Sequence, residues 1–184
     1  MMVVEVNAIR KAIEVAVEAH ANQRRRDGVT PYITHPAHVA TLVAMYGGSH
    51  RAIISAWLHD VMEDTEGNSG YLIIDGYLQT CGLHYKTAAL IDEMISALTK
   101  DKTIMNREER NEENLRRLLC APPETILVKL CDRISNLSDM GNVEDTFGER
   151  YLEDSQVLYS GLYTRARELG YIVPLNVFDQ LIKF

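Results

Sequence analysis

An all-α fold is the expectation for this chain. Apolar residues recur at helical spacing in several separated stretches, period-two alternation is nowhere sustained, and Gly or Pro punctuates the joints between those stretches. There is no internal repeat. The chain has 184 residues, enough for one domain with a sizeable core, so residues 1–184 are read as a single domain.

Val6, Ile9, Ile13, Ala16 and His20 predict a first helix that runs toward the basic cluster at Arg24. Asp27-Gly28 and Thr30-Pro31 break it, and His35-Pro36 opens a second helix, with proline at a tolerated first-turn position. Val39, Leu42 and Val43 form its buried face until Gly47-Gly48, after which Ser49 is the expected N-cap of a third helix bearing His59. Between Glu66 and about Tyr85 the glycines Gly67, Gly70, Gly76 and Gly82 interrupt short apolar runs. A long loop is expected there, with a short helix around Tyr71 to Thr80, placed to cover a site. Helical spacing resumes over Ala88–Leu98, over about Arg107–Cys120, and after Pro122-Pro123 through Ile126, Leu130 and Ile134. A last long helix is expected from Phe147 to Leu169, and the charged stretch near Glu108 reads as a solvated face.

The formal net charge of −7 argues against a nucleic-acid partner and for a small-molecule ligand, although a local basic patch can still receive phosphate. No apolar run reaches membrane-spanning length and the first residues lack a signal-peptide pattern, so no membrane partner and a cytoplasmic location are expected. Cys81, Cys120 and Cys131 follow neither a disulfide framework nor a zinc spacing and read as reduced core thiols.

The richest chemistry lies in Ala56-Trp57-Leu58-His59-Asp60-Val61-Met62-Glu63-Asp64-Thr65. Charged groups in an otherwise apolar helix must be paired, hydrated or bound to a metal. On a continuous helix Glu63 stands one turn beyond His59, and Asp64 one turn beyond Asp60. One pair would then hold a metal while the other handles the proton of a water. A catalytic metal needs further ligands converging from other helices. His35 and Asp132, the latter interrupting the apolar run Val128-Lys129-Leu130-Cys131-Asp132-Arg133, meet that need in type. Two imidazoles and two carboxylates suit a six-coordinate ion such as Mn²⁺ or Fe²⁺ better than a closed zinc site. The alternative is four separately satisfied core or capping residues.

The ordered set His35, His59-Asp60 and Asp132 resembles the HD-domain metal-dependent phosphohydrolase superfamily. Three flanking stretches narrow the resemblance: Gln23-Arg24-Arg25-Arg26-Asp27-Gly28 through Thr30-Pro31-Tyr32-Ile33-Thr34-His35-Pro36, then His59 through Thr65, then Lys129-Leu130-Cys131-Asp132-Arg133-Ile134-Ser135-Asn136-Leu137. Over roughly residues 5–170 they are similar to the RelA/SpoT-type hydrolase domain and to its small stand-alone, Mesh1-like alarmone hydrolases. The resemblance implies an HD-domain helical bundle with His35, His59, Asp60 and Asp132 as metal ligands, Mn²⁺ first among the ions. It implies a 3′-pyrophosphohydrolase of (p)ppGpp, the alarmone of the stringent response, yielding GDP or GTP and pyrophosphate. Glu63 and Asp64 would serve the attacking water and its proton.

The same resemblance assigns Arg25 and Arg26 to the nucleotide base and phosphates, roles to which planar guanidinium groups are suited. Asn136 would contact the nucleotide and Lys102 its phosphates, against plain readings of Arg24-Arg25-Arg26 as a solvated helix end and Lys102 as surface charge. His20 follows the apolar stripe of the first helix and reads as a core or supporting histidine, while His38, His50 and His84 carry no site argument. Three departures stand out: the glycine-rich stretch after Thr65, Cys131 and Ser135 within the Asp132 motif, and Arg150 followed one turn later by Asp154, with Tyr151 adjacent, where the family tends to place a tyrosine. Two other functions remain open at this point: an HD phosphohydrolase for another nucleotide (an adenosine alarmone, the 2′-phosphate of NADPH or a nucleoside monophosphate), and a non-catalytic nucleotide-binding module.

Overall fold

The computed structural model describes residues 2–64, 69–140 and 146–183, with Met2 and Asp64 described by their backbone alone. Its regular elements are α1 (Met2–Ala19), α2 (Thr34–Met45), α3 (His50–Leu58), α4 (Val61–Asp64), α5 (Ser69–Thr80), α6 (Tyr85–Leu98), α7 (Arg107–Cys120), α8 (Glu124–Asp139), α9 (Thr146–Glu168) and α10 (Ile172–Leu181). Among the described residues no strand occurs, only an isolated antiparallel bridge between Arg24 and Pro31. The expected all-α class holds, as a helical bundle. None of these helices is long and apolar enough to cross a membrane.

Helix α8 is the axis of the molecule, with every residue from Thr125 to Ser135 buried. A helix buried on all sides is normally apolar throughout. Here Lys129, Asp132 and Arg133 interrupt that rule, so their charges must be satisfied inside the bundle. Helix α3 divides the core. Its Ala52 and Ala56 join Val39 and Val43 of α2, Leu127 and Leu130 of α8, and Leu162 and Phe178 from the C-terminal helices. Its Ile54 and Leu58 face the other way, onto Ala8 and Ala12 of α1, Ile74 and Tyr77 of α5, and Ile91 and Ile95 of α6.

The bundle corrects four expectations, the first being Cys120, expected as a core thiol but exposed, unlike the buried Cys81 and Cys131. The helix bearing His59 is not continuous: α3 ends at Leu58, a turn holds His59 and Asp60, and α4 begins at Val61. The cause is local competition, because the His59 ring Nδ1 lies 2.7 Å from the Ala56 carbonyl, the acceptor that the Asp60 amide would claim in an unbroken helix. Ser49 stands at the N-cap of α3 but makes no side-chain cap; its Oγ donates instead to Glu124 Oε2 at 2.8 Å. The short helix expected around Tyr71 to Thr80 is present as Ser69–Thr80, despite the glycines at 70 and 76. Each helical glycine costs about 0.5–1 kcal/mol, and the burial of Ile74 and Tyr77 against α1 outweighs it. Residues 65–68 of that expected loop lie outside the described residues. Finally, α10 follows the last expected helix: Gly170 takes φ 82° after α9, and Leu175, Phe178 and Ile182 return the chain to the core.

Candidate metal centre

His35 enters from the first turn of α2, His59 and Asp60 from the turn between α3 and α4, and Asp132 from the middle of α8. The packing of α2 and α3 on α8 brings these separate positions together. One ligand-capable atom from each of His35, His59 and Asp132 lies within 4.8 Å of the others, and all three residues are buried. Asp60 closes the cluster: its Oδ2 stands 3.4 Å from His35 Nε2 and 3.2 Å from His59 Nε2. Asp132 Oδ1 lies 3.3 Å and 3.8 Å from the same two nitrogens.

Each member is held by a second contact that aims it inward. His59 Nδ1 donates to the Ala56 carbonyl, which leaves the Nε2 lone pair pointing into the cluster. That Nε2 is buried and has no hydrogen-bond partner. His35 Nδ1 is 3.0 Å from Ser135 Oγ. The phenol of Tyr32 donates to Asp60 Oδ2 at 2.8 Å. Asp132 accepts from Lys129 Nζ on Oδ2 at 2.9 Å and from Asn136 Nδ2 on Oδ1 at 2.8 Å.

The electrostatics follow from this enclosure. Burial disfavours charge on His59, but the Asp60 and Asp132 carboxylates beside it prevail and push its pKa up to about 9. Burial likewise works against the Asp132 carboxylate, and Lys129 with the two imidazoles holds its pKa well below the usual range. Two oriented imidazole nitrogens, one of them the orphaned Nε2 of His59, and two carboxylates are the donor set of a divalent cation of intermediate softness. The residues present fit such an ion.

Beside this cluster opens a cavity of about 830 Å³ whose lining includes Arg25, Arg26, Tyr32, His38, Asn136 and Tyr151. The loop before α2 supplies its basic wall. Asp27 organises that loop by accepting from the amides of Val29 and Thr30, both at 2.8 Å, and Gly28 adopts φ 70°, a conformation that glycine enters without steric cost. Arg25 donates to Asn136 Oδ1 at 2.9 Å and to Asp139 Oδ2 at 3.0 Å. Arg26 lies over the Phe147 ring, 4.2 Å from its centroid. A single hydrogen bond therefore separates cavity from cluster at two places, Tyr32 to Asp60 and Asn136 to Asp132.

The remaining sequence-derived candidates stand elsewhere. Glu63 is half-buried, with Oε2 3.4 Å from the Lys100 amide, and the side chain of Asp64 is outside the described part of the structure. Since the helix is interrupted at His59 and Asp60, Glu63 does not follow His59 on one continuous helix as sequence spacing suggests. Lys102 is exposed, and its ammonium donates to the Glu63 carbonyl, not into the cavity. His20 is buried, bonded through Nδ1 to Gln23 at 2.6 Å and packed on the Tyr32 ring. His84 caps α6 and His50 faces Glu5, so neither belongs to the site.

Sequence reasoning gave no role to Tyr32, Lys129, Ser135 or His38. Lys129 and Asn136 flank Asp132 at helical spacings of three and four, the signal by which an internal ion pair can be found. Nothing in the linear pattern marks Ser135 or His38. Tyr151 lies on the cavity side of α9, beneath the Arg133 guanidinium at 4.5 Å; burial raises its phenol pKa to about 12. Asp154, one turn on from Arg150, is instead tied to Arg107 and Asn111.

A family model described as an HD domain matches residues 12–171. The bifunctional (p)ppGpp synthase/hydrolase SpoT of Escherichia coli K12 is 32% identical over 164 residues, covering 88% of this chain and 22% of the relative. The guanosine-3′,5′-bis(diphosphate) 3′-pyrophosphohydrolase of Aquifex aeolicus is 31% identical over 160 residues, 85% of this chain and 21% of the relative. The chain thus spans about a fifth of the length of these curated relatives. A solved structure described as a metazoan ortholog of SpoT that hydrolyzes ppGpp superposes with a TM-score of 0.72 at 21% identity, covering 96% of this chain and 94% of that one. At that identity the likeness establishes the shared fold. With the match spanning nearly all of α1 to α9 and the His35, His59, Asp60 and Asp132 cluster at its centre, the chain belongs to the HD-domain family.

Proposed function

We propose that the protein is a divalent-metal-dependent 3′-pyrophosphohydrolase that converts guanosine tetraphosphate or pentaphosphate to GDP or GTP and pyrophosphate. One observation carries this reading: a buried His and Asp cluster one hydrogen bond away from a cavity walled by Arg25, Arg26 and Asn136. The activities for which the Escherichia coli and Aquifex aeolicus relatives are named support the substrate.

His35, His59, Asp60 and Asp132 would hold the ion, with Mn²⁺ preferred and Fe²⁺ or another divalent ion as alternatives. When bound, such an ion supplies Lewis acidity, lowering the pKa of the attacking water and offsetting phosphate charge. Tyr32 and Asn136 fix the two carboxylates so that their remaining lone pairs face the cluster. Glu63 and Asp64 take the proton of the water and return one to the departing 3′ oxygen. Arg25 and Arg26 bind the phosphates and base, with Asn136 beside them on the cavity wall, while Lys102, donating to the Glu63 carbonyl, would have to turn from that contact to reach a phosphate. The substrate is a small nucleotide.

A product-resolved screen of guanosine and adenosine alarmones, NADPH and nucleoside monophosphates with added Mn²⁺ tests the proposal, with Asp60→Ala as control. Free pyrophosphate from the guanosine alarmone, lost in the variant, is the expected result. Orthophosphate released only from NADPH or a monophosphate would sink it, as would tight nucleotide binding without turnover.

A further inference from the structure

Ser135 sits on α8 with its hydroxyl fully buried between two histidines of α2, at 3.0 Å from His35 Nδ1 and at 3.0 Å from His38 Nδ1. The two rings differ in their surroundings. His35 is buried and directs Nε2 at Asp60 and Asp132, whereas His38 is exposed and lines the cavity. A serine hydroxyl has one hydrogen to give and lone pairs to receive. For His35 to offer Nε2 as a ligand, its own proton must sit on Nδ1 and be donated to Ser135 Oγ. The single Ser135 hydrogen is then available to His38 Nδ1 at 3.0 Å, and a His38 ring that accepts it carries its proton on Nε2, the nitrogen opposite the buried hydroxyl.

We infer that His38 is a substrate-binding residue, a neutral donor that presents Nε2–H to an acceptor oxygen of the nucleotide and is held in that tautomer by the metal ligand His35 through Ser135. The inference rests on the proposed ligand role of His35. Ser135 thereby acts in two directions, orienting a ligand on one side and a substrate donor on the other. Glutamine is the natural mimic of such a ring, because its carbonyl accepts from Ser135 while its amide donates into the cavity.

Four variants and one spectrum test this. In His38→Ala the KM for guanosine tetraphosphate rises about tenfold, the size expected for a lost hydrogen bond to a charged oxygen, while kcat changes far less. His38→Gln restores most of the loss and His38→Phe, which keeps the ring and loses both polar atoms, does not. In Zn²⁺-loaded protein, ¹⁵N resonances of the histidine rings show His38 protonated at Nε2 and accepting at Nδ1, and Ser135→Ala removes the hydrogen-bond signature at both His35 and His38. An unchanged KM in His38→Ala, no rescue by glutamine, or a His38 proton on Nδ1 overturns the inference. If the wild-type protein turns over no guanosine alarmone, the proposed function fails, yet the ring spectrum still decides the fate of the His35, Ser135 and His38 chain.

Discussion

The metal cluster and the neighbouring cavity are built on opposite principles. His35, His59 and Asp132 are only 2%, 3% and 5% exposed, and each is fixed by a contact that leaves it one productive orientation. The cavity wall is looser. Arg25 reaches Asp139, whose side chain is 53% exposed, and Arg26 rests on the half-open ring of Phe147. Exposed pairs of this kind contribute about 0–1 kcal/mol, so a phosphate can displace them at little cost. Rigid enclosure suits ion binding, and exchangeable pairing suits a ligand that must enter and leave.

The largest expected effect comes from breaking the enclosed side. Asp132→Ala removes a proposed ligand and strands the buried ammonium of Lys129, whose pairing with Asp132 spans 2.9 Å between side chains 7% and 8% exposed. Leaving one member of a buried pair uncompensated costs about 3–5 kcal/mol. Pyrophosphate release should vanish, bound Mn²⁺ should be lost, and the urea midpoint should fall in metal-free protein as well. Retention of both metal and midpoint would contradict the enclosure.

A smaller effect follows on the open side. Arg25→Ala should raise KM about tenfold or more through a lost charge-assisted contact, with a melting temperature close to wild type because only half-exposed partners are released. An equal drop in kcat would place Arg25 closer to the chemistry than its pairing suggests.

The smallest effect lies outside both regions and concerns stability. Lys100 donates to Asn111 at 2.8 Å and faces Arg133 and Lys129; burial first, then those two cations, lower its pKa from 10.5 to about 8. Below about pH 8 both folded and unfolded chains carry this charge, and the fold bears its full desolvation cost. Between 8 and 10.5 the unfolded chain binds more protons, so this group's contribution to stability rises with pH. Lys100→Met should therefore raise the melting temperature at pH 7, with the gain shrinking by pH 9.5, a modest shift read by thermal scans at the two values. A gain that grows with pH would reverse the sign.

The helices from α1 to α9 were largely readable from apolar spacing, because burial of one helix face imposes a local period on the chain. The four metal-cluster residues were readable for another reason: charged side chains are out of place in apolar runs such as Val128 to Ile134, and their order matched a known pattern. The short helix around Tyr71 to Thr80 was also readable, and burial of Ile74 and Tyr77 lets it form as Ser69–Thr80 despite its glycines. The break at His59 and Asp60 was invisible because it depends on a side chain taking a backbone acceptor.

Residue types, helix order and the demand for a polar centre thus follow from local chemistry carried in the linear chain. The aim of each side chain does not. On α9 the burial of Leu158 and Leu162 sets the rotation of the helix, which turns Tyr151 to the cavity and Asp154 toward Arg107 and Asn111. With successive residues about 100° apart around a helix, a small rotation of the packed helix exchanges one side chain for another at the site. Packing of α2 against α8 likewise placed Ser135 between His35 and His38, a contact between residues about a hundred positions apart that no local pattern encodes.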